Sequence, residues 1–223
     1  MTERDILYED NHIIIVNKKS GQVVQADDTK DRPLDEIVKS FLKRKYQKGG
    51  NVFLGVIHRL DRPVSGCIIF AKTSKALSRL NKMFQEKKIH KTYWALCLNK
   101  PQKPQGHIKS FLVKDRIKNK TKSFLKKVKD GKFSELLYEQ IKNISGKALI
   151  EVKPLTGRPH QIRVQLASIG CVIQGDLKYG AQTANQDKSI CLHSRKVKLI
   201  HPVSKEEISV EAPIYNSEIW GVK

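Results

Sequence analysis

Residues 58–63, with the sequence HRLDRP, form a charged turn between two apolar segments. This pattern predicts a rigid turn between two buried strands, because Pro63 fixes its own backbone and restricts the residue before it. The carboxylate of Asp61 lies between Arg59 and Arg62, two cations that favour its ionised form. The turn therefore predicts either a carboxylate available for chemistry or an ordinary solvated turn residue.

A second polar group lies at residues 154–170, PLTGRPHQIRVQLASIG. Pro159 suits the first position of a helix and Gly170 suits its C-terminal end. Polar side chains crowd the first turn of this helix, where backbone N–H groups also point outward; they are Arg158, His160, Gln161 and Arg163. This arrangement is typical of anion binding, although Arg163 alone could be a surface charge.

The composition favours a polyanionic partner. The 223 residues include 43 Lys and Arg against 22 Asp and Glu, for a net charge of +21, and 39% are hydrophobic. A basic chain with this apolar content is globular, and the common cellular polyanion is nucleic acid. A membrane surface is the rival partner, but it would require a long amphipathic basic helix, and the sequence shows none.

The cysteines and the N-terminus set the expected compartment. The cysteines at positions 67, 97, 171 and 191 are scattered, without a CxxC pair or a histidine at metal-ligand spacing. We therefore expect reduced cysteines and no metal site. The first residues are charged and lack the apolar core of a signal peptide, and the run Ile13–Val16 is too short to span a bilayer. The prediction is a cytoplasmic protein that does not enter the membrane.

Apolar periodicity predicts helices at residues 33–46 and 74–88, and strands that are more numerous than helices. The strands are predicted at 12–17, 91–98, 134–142, 147–153, 190–200 and 206–212. Residues 103–132 contain eleven Lys and Arg against two Asp. Two short strands in this segment predict a basic hairpin, which would grip a phosphate backbone or form a solvated insertion.

Four blocks of sequence resemble the RluA-type pseudouridine synthases. They are HRLD at 58–61 with Ser65-Gly66, KTYWAL at 91–96, TGRPHQIRV at 156–164, and Gly175-Asp176 with Tyr179-Gly180. The blocks occur in that family's order and span most of the chain. The resemblance begins near residue 6, so we expect the catalytic domain without the S4-like module of many relatives. Two positions depart from the family pattern: Val64 replaces a threonine and Gln165 replaces a histidine.

The resemblance implies isomerisation of specific uridines in ribosomal or transfer RNA to pseudouridine, after the target base is flipped out of its stack. Asp61 matches the catalytic aspartate, which acts as a nucleophile or stabilises the separated sugar. Arg163 matches the arginine paired with that aspartate, and Tyr93 matches the tyrosine that stacks on the target base. Arg59 matches the residue that fills the vacated space, and the further candidates for RNA contact are His58, Arg62, Arg158, His160 and Gln161.

The resemblance also completes the expectations for the fold. We expect an α+β protein, with one catalytic domain over residues 1–223 built on a large mixed, mostly antiparallel sheet flanked by helices. The basic hairpin at about 103–132 would bind RNA in place of the S4-like module. A monomer without a cofactor or metal is expected, with RNA as its partner.

Two other functions compete with this prediction. A non-catalytic basic RNA-binding or ribosome-assembly protein would explain the charge, but gives no reason for Asp61, Tyr93 and Arg163 to occur together. A hydrolase or nuclease using His58, Asp61 and His160 would ordinarily need more carboxylates for a metal, or a recognisable nucleophile turn.

Overall fold

The computed structural model describes residues 1–27 and 30–221, which form two compact units. The first unit comprises Met1–His90 and Ser194–Ile214, and the second comprises Lys91–His193 and Tyr215–Lys223. The chain thus leaves the first unit after its second long helix and returns to it about a hundred residues later.

The elements follow one another in a predominantly β pattern. The strands are β1 Ile6–Glu9, β2 Ile13–Lys18, β3 Gly55–Val56, β4 Ser65–Ala71, β5 His90–Cys97, β6 Gln105–Asp115, β7 Lys120–Phe124, β8 Lys132–Ile144, β9 Lys147–Pro154, β10 Leu192–Ile200 and β11 Glu207–Glu211. The α-helices are α1 Leu34–Lys45, α2 Ser74–Gln85, α3 Gln161–Ser168 and α4 Ser217–Trp220.

The sheet of the first unit has the strand order β1-β2-β4-β10, with β3 also paired to β4 and β11 to β10. Residues Ile13–Val16 of β2 have no solvent exposure, because both faces of the strand are covered. Ile14 and Val16 pack in one cluster with α1, while Ile13 and Ile15 pack in another with α2. Burial on both faces explains the uninterrupted apolar run in the sequence.

The helices of the first unit confirm the sequence predictions with slightly different ends. Helix α1, predicted at residues 33–46, spans Leu34–Lys45, and Pro33 is its N-cap residue. Helix α2 begins after Thr73, whose Oγ1 accepts a hydrogen bond from the Ala76 N–H at 3.1 Å. This cap satisfies one of the free N–H groups of the first turn. Helix α2 ends at Gln85 rather than residue 88, and Lys87 follows in a left-handed conformation with φ of 57°.

The sheet of the second unit has the order β5-β9-β8-β6-β7, and all four of these pairings are antiparallel. The predicted basic hairpin is formed by β6 and β7, which pair from Phe111↔Phe124 to Asp115↔Lys120. The second strand of the hairpin ends at Phe124. Helix α3 contributes Val164 to a small core with Leu112 and Tyr179.

The fold class is α+β, as predicted. The strand predicted before the charged turn is short, since only Gly55 and Val56 pair with β4. No helix in the described part of the chain has the length and apolar character needed to cross a membrane. The single catalytic domain over residues 1–223 stays a prediction.

Candidate active site

Asp61 lies in the irregular connection between β3 and β4 and is partly exposed. Its carbonyl accepts a hydrogen bond from the Val64 N–H at 3.0 Å, which closes the turn. The next carbonyl, that of Arg62, accepts from the Gly21 N–H at 2.8 Å. The backbone of this turn is therefore held from two sides while the Asp61 side chain remains within reach of solvent.

The ammonium of Lys18 binds backbone carbonyl groups of the Asp61 turn. This side chain has no solvent exposure, and its Nζ donates to the carbonyls of Lys19, Arg62 and Val64 at 3.0, 3.1 and 2.6 Å. Burial lowers the pKa of Lys18 to about 7, and the negative charge of Asp61 opposes that shift. Lys18 is thus a buried cation beneath the Asp61 turn.

Sequence reasoning missed Lys18, because the strand predicted at 12–17 ended before it and left Lys18 in the turn that follows. Lys18 is instead the last residue of β2 and pairs with Gly66 of β4. The signal in the sequence was the position of a lysine directly after five residues of a strand that is buried on both faces. A side chain at that position must find partners inside the protein.

Gly66, which follows the Asp61 turn, is required by close packing. Its φ is +110°, and a Cβ at this position would lie 2.3 Å from the carbonyl oxygen of Ser194 in β10. A side chain at residue 66 would therefore push β4 away from β10. This contact explains in physical terms why a glycine follows the serine at this point of the motif.

The neighbours of Asp61 in the turn have different environments. His58 is largely structural, because its Nε2 accepts the Ile69 N–H at 2.9 Å and its ring lies 5.1 Å from that of Phe84. Arg59 is exposed, and Arg62 forms an exposed ion pair with Asp31. Contact of these three residues with RNA stays a prediction.

In the second unit, Arg163 is buried and forms a bidentate ion pair with Asp176. Its Nε lies 2.7 Å from Oδ2 and its Nη2 lies 2.8 Å from Oδ1. The Cζ of Arg163 also lies 5.0 Å from the ring centroid of Tyr179. Arg163 is therefore not the surface charge that the sequence left as an alternative. Its predicted pairing with Asp61, a residue of the first unit, stays a prediction.

Gln161 fixes the loop that precedes Arg163. Its Oε1 accepts from the Thr156 hydroxyl at 2.8 Å and from the Arg158 N–H at 3.0 Å, and its Nε2 donates to the Glu135 carbonyl at 2.9 Å. The side chain is buried. Gln161, predicted to contact RNA, thus uses its amide to hold the loop, whereas the Arg158 side chain is exposed.

The start of α3 differs from the prediction. The helix begins at Gln161 rather than Pro159, because His160 adopts a left-handed conformation with φ of 53°. His160 Nδ1 lies 2.8 Å from the Tyr179 hydroxyl, which also accepts the Thr121 N–H at 2.8 Å. These bonds connect the start of α3 to the basic hairpin. They give His160 a structural contact in addition to its predicted RNA contact.

Tyr93 lies in β5 opposite Val152 of β9 and is 8% exposed. Ala95 and Cys97, which lie on the same side of this strand as Tyr93, are buried too. Stacking of Tyr93 on a uracil stays a prediction. Within residues 1–27 and 30–221, no three His, Cys, Asp or Glu side chains are grouped as metal ligands would be.

Comparison with known proteins identifies the family. The family model described as RNA pseudouridylate synthase matches residues 12–168, a range that contains Asp61, Tyr93 and Arg163. The chain belongs to the RNA pseudouridylate synthase family. The predicted resemblance is therefore confirmed, and so are the predicted enzyme class and reaction, the isomerisation of uridine in RNA to pseudouridine.

Several proteins of this family are similar over nearly the whole chain. Ribosomal large subunit pseudouridine synthase C of Buchnera aphidicola is 35% identical over 94% of this chain and 67% of its own length. The enzyme of the same name from Rickettsia bellii is 31% identical over 96% of this chain and 69% of its own length. The solved structure of human RNA pseudouridylate synthase domain containing 4 shares the fold, with a TM-score of 0.78 and 21% identity over 95% of this chain and 88% of that one.

Proposed function

We propose that this pseudouridine synthase modifies uridine in ribosomal RNA of the large subunit. The observation that carries the proposal is the similarity to two relatives named for that substrate, which extends over more than nine-tenths of this chain. The net charge of +21 suits an RNA substrate, because counterion release drives the binding of basic proteins to a phosphate backbone. Transfer RNA is the alternative substrate.

Asp61 is proposed as the catalytic carboxylate. In the reaction the bond between C1′ and N1 of uridine breaks, a bond between C1′ and C5 forms, C5 loses its proton and N1 gains one. The composition of the RNA is unchanged, so neither an oxidant nor a source of energy is consumed. A carboxylate can attack as a nucleophile or stabilise the separated sugar, and both roles need its ionised form.

Arg163 and Tyr93 are proposed to complete the catalytic group. The Nε and Nη2 edge of the Arg163 guanidinium binds Asp176, and we assign the same guanidinium to the catalytic carboxylate of Asp61. The Tyr93 ring would hold the uracil by its face. A face contact lets the base rotate between the two glycosidic bonds, whereas a fixed hydrogen bond would oppose rotation.

Exposed arginines are proposed to bind the RNA around the flipped-out base. Arg59 and Arg158 are both exposed, and each lies beside a turn with a fixed backbone. Arg59 would fill the space left by the target uridine, which lowers the cost of extruding the base. Contacts of this kind position the RNA more than they select its sequence.

The state of the cysteines supports a proposal for the cellular compartment of the enzyme. Cys67, Cys97, Cys171 and Cys191 are free and buried, as expected of a protein in a reducing compartment. We propose that the enzyme acts in the cytoplasm as a monomer.

The proposed function is tested by mapping pseudouridine in large-subunit ribosomal RNA transcribed in vitro and treated with the protein. Wild type should modify discrete uridines, and Asp61→Asn should lower the rate by at least about a thousandfold with RNA binding retained. Asp31→Asn serves as the matched control, because Asp31 is an exposed aspartate paired to a residue of the same turn.

Two outcomes would contradict the proposal at different points. Modification of transfer RNA, with ribosomal RNA untouched, would replace the substrate and leave the catalytic assignment intact. Full activity of Asp61→Asn would reject the catalytic assignment itself.

A further inference from the structure

Three phenylalanines lie side by side across the basic hairpin and the strand next to it. Phe111 of β6 pairs with Phe124 of β7 on one side and with Phe133 of β8 on the other. The rings of Phe111 and Phe133 lie 5.8 Å apart in an edge-to-face arrangement. Because neighbouring strands are about 4.8 Å apart, this phenylalanine row extends over roughly 10 Å.

The phenylalanine row lies on the outward face of its sheet. Residues that alternate with it are buried on the opposite face, for example Leu112 and Ser134. Phe124 and Phe133 are 37% and 42% exposed, and the adjoining Leu125 is 89% exposed. These aromatic side chains gain little from folding at this position, so their presence on the surface indicates a binding role.

The phenylalanine row is surrounded by positive charge. Lys122 lies two residues before Phe124 on the exposed side of β7. The connection from β7 to β8 carries lysines 126, 127 and 129, and its Gly131 approaches the row so closely that an added Cβ would lie 3.1 Å from Phe111 Cβ. On the same face of β8, the carboxylate of Glu135 lies 3.2 Å from His107. Residues 103–132 as a whole have eleven Lys and Arg against two Asp.

We propose that the phenylalanine row is a stacking surface for unpaired bases of the RNA substrate. The proposal rests on the proposed function, which makes RNA the partner of this face. Unpaired bases stack on exposed aromatic rings whatever their sequence, while lysines beside the rings neutralise the phosphates. Sheets that present aromatic side chains in this way stack two or three bases, a number that the length of the row accommodates.

The charge around the row favours RNA over a protein partner. A protein that covered the three rings would also have to bury or neutralise the lysines on β7 and on the loop that follows it. Single-stranded RNA can both cover the rings and neutralise the lysines. Its bases offer apolar faces, and its backbone supplies one negative charge per nucleotide. A duplex would satisfy the lysines alone, because its bases are already stacked.

The test compares variants of the full-length protein in their binding to single-stranded oligo(U) and oligo(A) of about twelve nucleotides, within the usual site size for such surfaces. Fluorescence anisotropy over a series of salt concentrations gives the affinity and the salt dependence. Phe124→Ala combined with Phe133→Ala should weaken binding to both oligonucleotides about tenfold or more, with the salt slope unchanged.

Conservative variants separate stacking from apolar burial. Tyrosine at positions 124 and 133 should restore most of the affinity, whereas leucine at both positions should not, because only tyrosine has an aromatic face. Leu125→Ala is the matched control: it removes a more exposed apolar side chain from the same strand end, and it should change the affinity less than twofold. Binding to an RNA duplex of equal length should not respond to any of these substitutions.

Several outcomes would overturn the proposal. Unchanged oligonucleotide binding by the double alanine variant would leave the row as a surface for a protein. Equal binding by the leucine and tyrosine variants, or an equal loss on the duplex, would show that base stacking is not involved. The result is independent of the proposed function, since binding to oligonucleotides is measured without pseudouridine formation, and Asp61→Asn should bind both oligonucleotides like wild type.

Discussion

Each of the two units buries a cation at its part of the predicted catalytic group, but the two cations have different partners. Lys18 lies beneath the Asp61 turn and donates to three neutral carbonyl groups. Arg163 lies at the start of α3 and forms a bidentate pair with the buried carboxylate of Asp176. The first charge is surrounded by dipoles, whereas the second is neutralised by an opposite charge.

This difference determines how each region responds to pH. A guanidinium stays protonated at every pH at which proteins are folded, so the pair of Arg163 and Asp176 is insensitive to alkaline conditions. An ammonium can lose its proton, and burial lowers the pKa of Lys18 to about 7. The support of the Asp61 turn therefore titrates in the neutral range, while the support of Arg163 does not.

The largest effect is expected from Asp176→Asn, which removes the compensating charge. Arg163 and Asp176 have side chains that are 6% and 1% exposed, so the substitution leaves a buried guanidinium without its anion. The free energy of unfolding should fall by about 3 kcal/mol or more, measured by urea denaturation. Glu139→Gln, at an exposed position of β8, is the control and should have little effect. A loss no greater than that of the control would mean that the ion pair contributes nothing to the unit.

Lys18→Met should lower the stability less than Asp176→Asn does, and it should also lower the rate of catalysis. The substitution removes the ammonium donor from the Arg62 and Val64 carbonyls of the Asp61 turn, which costs about 1–2 kcal/mol. Displacement of Asp61 should lower kcat by about 10- to 100-fold, while the Kd for RNA stays the same. Lys19→Met is the matched control, because the Lys19 side chain is 55% exposed. If kcat and RNA binding fell together, Lys18 would be a general structural residue rather than one that positions Asp61.

Counted per pH unit, the smallest effect on stability is a difference in pH dependence between wild type and Lys18→Met. The unfolded chain keeps the lysine proton up to the ordinary pKa of 10.5, whereas the folded chain releases it above about 7. Between these values the unfolded state binds more protons, so the stability of wild type should rise with pH, by at most about 1.4 kcal/mol per unit.

Below about pH 7 Lys18 is protonated in both states, and its contribution to stability is constant. Urea denaturation of both proteins between about pH 6 and 10 measures the difference, in which the other titrating groups cancel. Parallel curves for the two proteins would show that Lys18 keeps an ordinary pKa.

The sequence predicted most of the elements and the polar residues of both turns, because apolar periodicity and the residues around proline and glycine report local structure. It did not reveal what lies beneath the turns. Lys18 was taken for a turn residue, since a lysine at the end of a strand is ordinarily solvated. Its burial depends on carbonyl groups that lie more than forty residues later in the chain.

The predicted start of α3 was wrong for a related reason. Pro159 fits the first position of a helix by local preference, but His160 takes a left-handed conformation and the helix begins one residue later. The contact between His160 and Tyr179 accompanies that conformation, and a residue nineteen positions away cannot be inferred from the motif. Asp176 belonged to a recognised block, yet its bond to Arg163 appeared only in the fold.

The discontinuous path of the chain has a consequence for biosynthesis. The first unit takes β11 and most of β10 from residues beyond 193, and Gly66 lies directly against Ser194. A ribosome must therefore synthesise residues 91–193 of the second unit before the β4 edge can acquire its neighbour. During translation that edge, with its unpaired backbone groups, stays without this neighbour until β10 has been synthesised.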